Sequence, residues 1–222
     1  MGFFSAQFEK EGPGRPLPTG GGARYFALLF SQLWKLIGAN LLFVLFSLPV
    51  LTLPAALCGL NRVCLSVYRR GSAYIWQEFF EEFRKSLLRH LPAAFLFTLL
   101  LLAAYYLMSL GLSNAALPLW SVIFWTLGLL AAAGGLGWGS CYFVLAALLE
   151  QRSGMLLKNA VLLSLAAPGR TLLRCALAAV FAAAAALLLP VSLFLILICL
   201  PGILQYTLCF LVYEQAEEYI SD

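Results

Sequence analysis

The stretch LIGANLLFVLFSLPVLTLPAALCGLN, residues 36–61, decides how this chain is to be read. Its 26 residues carry no formal charge, Pro49 and Pro54 interrupt it, Lys35 precedes it, and Arg62, Arg69 and Arg70 follow it. An apolar helix needs about 20 residues to cross a bilayer. Each proline removes an amide donor and disfavours a straight helix through its position. Prolines near the middle and cations at both ends therefore describe a hairpin that leaves the membrane surface and returns to it.

The same pattern repeats along the chain. Residues 36–61, 91–149 and 175–213 contain no Asp, Glu, Lys or Arg, and four charged clusters flank them at 1–35, 62–90, 150–174 and 214–222. All 14 basic residues fall in the first three clusters, and the last holds only acidic ones. Short basic loops stay on the cytoplasmic side, and acidic residues count for little in that rule. Putting every cluster inside makes each charge-free block an out-and-back pair. The expected fold is all-α: a polytopic transmembrane helical bundle of about six helices in three hairpins, with both termini cytoplasmic. An interfacial amphipathic cytoplasmic helix completes it.

Composition supports this class. The chain is 63% hydrophobic and 11% charged, against about 45–50% and about 25% for a soluble domain. A water-soluble exterior of this size cannot be built from so few polar groups. The net charge of +4 maps topology here and is no argument for nucleic-acid binding; the expected surroundings are the lipid bilayer. None of the six cysteines forms a C-x-x-C pair, so they read as small buried hydrophobes.

Taken in order, residues 1–22 form a Pro/Gly-rich leader, 23–214 a single transmembrane helical domain, and 215–222 an acidic tail. Expected helices run from about Tyr25 to Leu48, Val50 to Tyr68, Leu91 to Leu110, Leu119 to Leu149 and Leu172 to Leu189. A last one passes through Pro201-Gly202, where a kink or division is expected, to about Tyr213. The second is short, and Asn61 and Arg62 within it admit a re-entrant or interfacial alternative. In the cytoplasmic segment 72–90, Trp76, Phe80, Phe83 and Leu87 share one helical face opposite Glu78, Glu82, Lys85 and Arg89. That pattern suits a helix in the membrane interface, or one that docks a partner. The cytoplasmic loop 150–171 occupies the equivalent place before the fifth helix. Ala131, Gly135 and Gly139, spaced by four, offer a small-residue face for close helix packing.

Chemistry is sparse. No carboxylate lies within an expected span, and the single histidine, His90, stands at a helix entrance. The phosphate-binding loop, nucleophile elbow and zinc-protease motifs are missing from the sequence, each of which carries a specific residue pattern. No enzyme activity, cofactor or metal is expected. Asn61 and Arg62 form the polar pair most suited to a structural or functional role.

The run from Phe46 to Arg70 (FSLPVLTLPAALCGLNRVCLSVYRR), followed by WQEFFEEFRKSLL at Trp76–Leu88, resembles the opening half of the YesL family of bacterial integral membrane proteins. Leu48-Pro49 with Thr52, the basic helix end, and Phe79, Phe80, Phe83 and Lys85 carry the likeness. KNAVLL at Lys158–Leu163 and Pro201-Gly202-Ile203 are compatible with it, so it extends over about residues 24–214. The Pro/Gly leader and the Ala/Leu-rich fifth helix depart from it. The resemblance implies a multi-pass protein of the bacterial plasma membrane without an established activity. It further implies an accessory or scaffold role beside ABC-type carbohydrate importer subunits; self-association is the other contact expected. Transport of a small neutral solute is the alternative.

Overall fold

The computed structural model describes residues 21–114, 118–149, 151–187 and 198–221. They are helical throughout apart from short turns: α1 Gly21–Ser31, α2 Leu33–Ser47, a 3-10 turn Val50–Thr52, α3 Leu53–Arg70, α4 Ile75–Ser86, α5 Leu91–Ser113, α6 Pro118–Ala133, α7 Gly139–Leu148, α8 Ser153–Ala166, α9 Pro168–Leu187 and α10 Leu200–Ser221. A π-helical turn, Gly134–Trp138, joins α6 to α7. Among the described residues, four helices are long and apolar enough to cross a membrane: Val50–Arg70, Leu91–Ser113, Pro118–Leu148 and Pro168–Ala185. The α1–α2 pair makes a fifth if counted as one bent span. Such a chain fits a membrane protein. The sequence predicts six helices in three hairpins; residues 188–197, between the fifth and the last of them, lie outside the described residues.

The first expected helix is not continuous. It breaks at Gln32, where α1 and α2 meet at 74°. No proline or glycine stands at the break, so the contacts of the two halves account for it. Arg24 of α1 donates from Nε and Nη2 to the carbonyls of Tyr68 and Arg69, at 3.2 and 2.9 Å, capping the end of α3. A guanidinium is favoured at a helix C-terminus, where unpaired carbonyls concentrate negative charge. Tyr25 meets Thr207 of α10 at 2.8 Å. Meanwhile α2 must follow α3, and the Asn40 side chain accepts the Gly202 amide at 2.9 Å. The two halves answer to different neighbours.

The molecule has two regions of unlike burial. Of the apolar window of α3, 67% is buried inside the protein, against 11%, 17% and 6% for the α5, α6–α7 and α9 spans. The outer three expose Phe95, Leu102, Leu130 and Val180, as helices facing lipid do. The core instead gathers about α3, with Leu36, Phe79, Tyr142, Leu145, Tyr206 and Val212 converging from α2, α4, α7 and α10.

After α3 the chain turns sharply. Gly71, at φ 74°, closes the helix in the left-handed conformation and donates to Val67 O at 2.9 Å, a role glycine fills without steric penalty. The turn sends α4 back along α3: Arg70 pairs with Glu78 at 3.5 Å, and the Phe79 ring lies where a Cβ on Gly59 would meet it at 3.0 Å.

The longest hairpin is α5 against α6–α7. A side chain on Gly135 would meet Leu101 at 2.8 Å, and one on Gly139 would meet Phe97 at 3.3 Å. Ala131, the third member of that face, is half-buried. The π turn adds a residue between them and aims Gly137 the other way, toward Thr171 and Cys175 of α9. At the other end of the chain, α10 runs on to Ser221, well past the expected end near Tyr213, and takes in most of the acidic tail. Pro201 does not kink it midway. It stands in the first turn, after a break at Cys199, where its missing amide has no helical partner to lose.

Candidate functional site

Arg62 leaves the middle of α3 and donates from Nη1 to Ala147 O at 3.0 Å, in the last turn of α7. Two observations explain why a cation is accepted there. The last carbonyls of α7 lack intrahelical partners, and the returning α4 brings Glu82 to the same place. Arg62, Glu82, Lys85, Arg89, Ala146 and Ala147 line a pocket of about 260 Å³. Its charged side chains are three cations against one carboxylate. Lys85 also holds Glu81 at 2.8 Å, Glu82 accepts from Ser86 Oγ at 3.0 Å, and Arg89 donates to Gln151 O. Lys85 lowers the Glu81 pKa, first by that hydrogen bond and then by its charge.

Next to the pocket, His90 Nδ1 and the Tyr142 hydroxyl meet at 2.7 Å and close the α5–α7 hairpin. His90 is almost wholly buried. Burial, with a smaller contribution from the Arg89 charge, pushes its pKa down to about 4, so the ring is neutral at neutral pH. A neutral, hydrogen-bonded histidine in a core holds structure together.

Asn61 and Arg62, adjacent in sequence, face different surroundings. Asn61 is fully buried, with Cys209 Sγ 3.5 Å from its Oδ1 and its Nδ2 unpaired; it belongs to the α3–α10 contact. Arg62 belongs to the pocket. On α4, Phe79 and Ser86 are buried, Phe80 and Phe83 half-buried. Trp76 is 67% exposed and Leu87 37%. The helix thus turns the line through Phe79 inward and leaves Trp76 stacked on Phe80, ring centres 5.7 Å apart. Tyr74 just ahead of it is also exposed.

In the sequence Arg174 is one of the third basic cluster, and nothing in that cluster's charges sets it apart. It is 1% exposed, donates from Nη2 to Thr171 Oγ1 at 2.8 Å and to Ser164 Oγ at 3.4 Å, and its Nε and Nη1 have no partner. The available signal is the pair of hydroxyl residues, Ser164 and Thr171, upstream of Arg174. A second feature, an apolar groove of about 260 Å³, lies between α7, α8 and α10, with Leu148, Leu163 and Ala216 among its walls. Among the described residues no group of three or more His, Cys, Asp or Glu side chains is placed to hold a metal.

No curated protein and no solved structure matches the chain. Residues 36–108 match the model of a family described as a protein of unknown function, DUF624, a segment that runs from α2 into α5 and contains Arg62, Glu82, Lys85 and Arg89.

Proposed function

We propose that this protein is a non-enzymatic component of the bacterial plasma membrane that works by contact, as an accessory or scaffold beside an ABC-type carbohydrate importer. The observation that carries the reading is the way α4 is mounted. Phe79 anchors it to α3, while Tyr74 and Trp76 stand exposed beside the charged face. Exposed aromatics of this kind dominate the energetics of protein interfaces. The resemblance to the YesL family, which carries the DUF624 domain, supports the importer as the class of partner; self-association is the other contact the surface would serve.

The same mounting bears on topology. A helix carrying Glu78, Glu81, Glu82, Arg84 and Lys85 runs beside α3, and five charges cannot accompany a crossing through hydrocarbon. We therefore read α2–α4 as folded against the cytoplasmic side of the membrane, with α5, α6–α7 and α9 crossing it and the chain back on the cytoplasmic side at α10. Removing two crossings together keeps the parity, so both termini and all basic clusters stay cytoplasmic. The test of function is affinity purification in mild detergent from the native host. A stoichiometric importer subunit should copurify with the wild type and be lost with Trp76→Ala. Recovery of the wild type alone, under conditions that preserve known importer complexes, would sink the proposal.

A further inference from the structure

The geometry points to a binding site for the phosphate headgroup of an anionic phospholipid in the pocket formed by Arg62, Glu82, Lys85 and Arg89. Depth is the first argument. The hairpin contacts Leu101–Gly135, Phe97–Gly139 and His90–Tyr142 keep α5 and α6–α7 in step. The first residue of the α5 span, Leu91, therefore lies near the level of Tyr142. Ala147 is five residues further along α7, about 7–8 Å at the helical rise. Each headgroup layer of a bilayer is about 5–7 Å thick, half the difference between its full and hydrocarbon thickness. A hairpin that spans the bilayer thus holds the pocket at the water-facing edge of the headgroup layer.

Charge is the second argument. Three cations and one carboxylate line a concave site. Lys85 also pairs with Glu81 at 2.8 Å, so the local excess is one positive charge. Arg62 and Arg89 are each fixed by a bond to a main-chain carbonyl, of Ala147 and Gln151. A guanidinium presents five donors, so one such bond leaves others for phosphate oxygens. Basic pockets beside transmembrane helices at this depth suit anionic headgroups, each nearby cation contributing about 1 kcal/mol, or about fivefold in affinity. Neutral lipid, whose headgroup carries its own cation, lacks the net charge to match. The inference is independent of the partner reading: failure to capture an importer subunit leaves it standing.

The test titrates the full chain, in neutral detergent, with phosphatidylglycerol, phosphatidylcholine or inorganic phosphate, and counts bound lipid by native mass spectrometry. Phosphatidylglycerol should bind in preference to phosphatidylcholine. Lys85→Gln should weaken it about fivefold, and Lys85→Gln with Arg89→Gln further. Arg84→Gln, the same charge change on the same helix outside the pocket, should leave it unchanged. Lys85 is half-exposed, so the single variant serves if the double one fails to fold. Equal binding by wild type and Lys85→Gln, an equal loss in Arg84→Gln, or no preference over phosphatidylcholine would each overturn the site. Displacement of the lipid by millimolar inorganic phosphate would identify free phosphate as the ligand and overturn the lipid assignment.

Discussion

Phe79→Ala should be the most damaging single change on α4, although Trp76 is the larger aromatic on the same helix. The Phe79 ring is 0% exposed. It stacks on Phe83 at 6.0 Å, meets Phe80 at 5.8 Å and Phe46 at 6.1 Å, and covers Gly59. Truncating a buried Phe to Ala costs about 3–5 kcal/mol, from lost transfer energy plus the cavity left behind. Gly59 has no side chain to collapse into that space, which argues for the upper part of the range. For a chain of this size, about 2–4 °C of melting temperature accompanies each kcal/mol, so a drop of roughly 6–20 °C is expected. Cys58, Cys64, Cys141 and Cys209 are buried and free. Heating the detergent-solubilised protein with a thiol-reactive fluorophore therefore reports unfolding directly. Trp76→Ala should shift the transition by no more than about 2 °C, because surface substitutions stay within about 0.5 kcal/mol. A Trp76→Ala loss equal to that of Phe79→Ala would refute the assignment of the buried face.

The His90–Tyr142 pair makes stability pH-dependent. With the folded pKa near 4 and the ordinary value at 6.5, the unfolded chain binds the proton first. The contribution is therefore intact above pH 6.5 and is lost as pH falls toward 4. About 2–3 kcal/mol should disappear between pH 7.5 and 4.5, and His90→Gln should flatten that slope in melts across the range. Gly135→Ala drives a methyl to 2.8 Å from Leu101 and should destabilise by about 1–3 kcal/mol. Gly154→Ala, with nothing within 4 Å, should be neutral or stabilising by up to about 1 kcal/mol in the same melts. In a chain freed of native cysteines, Arg70→Cys and Lys158→Cys should react with a membrane-impermeant maleimide only after the cytoplasmic side is opened, and Ser113→Cys from outside. Val50→Cys distinguishes the topologies: labelling from outside would restore the six-crossing hairpin arrangement and remove the one proposed above.

Much of the fold is legible in the sequence because hydrocarbon and water impose a coarse constraint that composition alone can answer. A charge-free run from Leu91 to Leu149, broken near Asn114, has to be a helical pair, since only helices and closed barrels satisfy their backbone in lipid. The helix at 72–90 was visible for a similar reason: its charges recur on one side at helical spacing. Its orientation was not. Phe79, Phe80 and Phe83 lie within about 100° steps of each other, so periodicity cannot say which of them faces inward. Gly59, twenty residues earlier, makes that choice by leaving room for one ring.

The sequence by itself determined that this is an all-helical chain built for a bilayer, where its apolar blocks lie, and that Asn61–Arg62 was the polar pair to watch. Only the tertiary structure separated those two residues, one into the contact with α10 and the other into a pocket with Glu82, Lys85 and Arg89. It also bent the first helix at Gln32 and buried Arg174. The physical reason is range. Transfer energy is fixed residue by residue along the chain, whereas the packing of α3 against α4, α7 and α10 depends on which distant side chains leave room for one another.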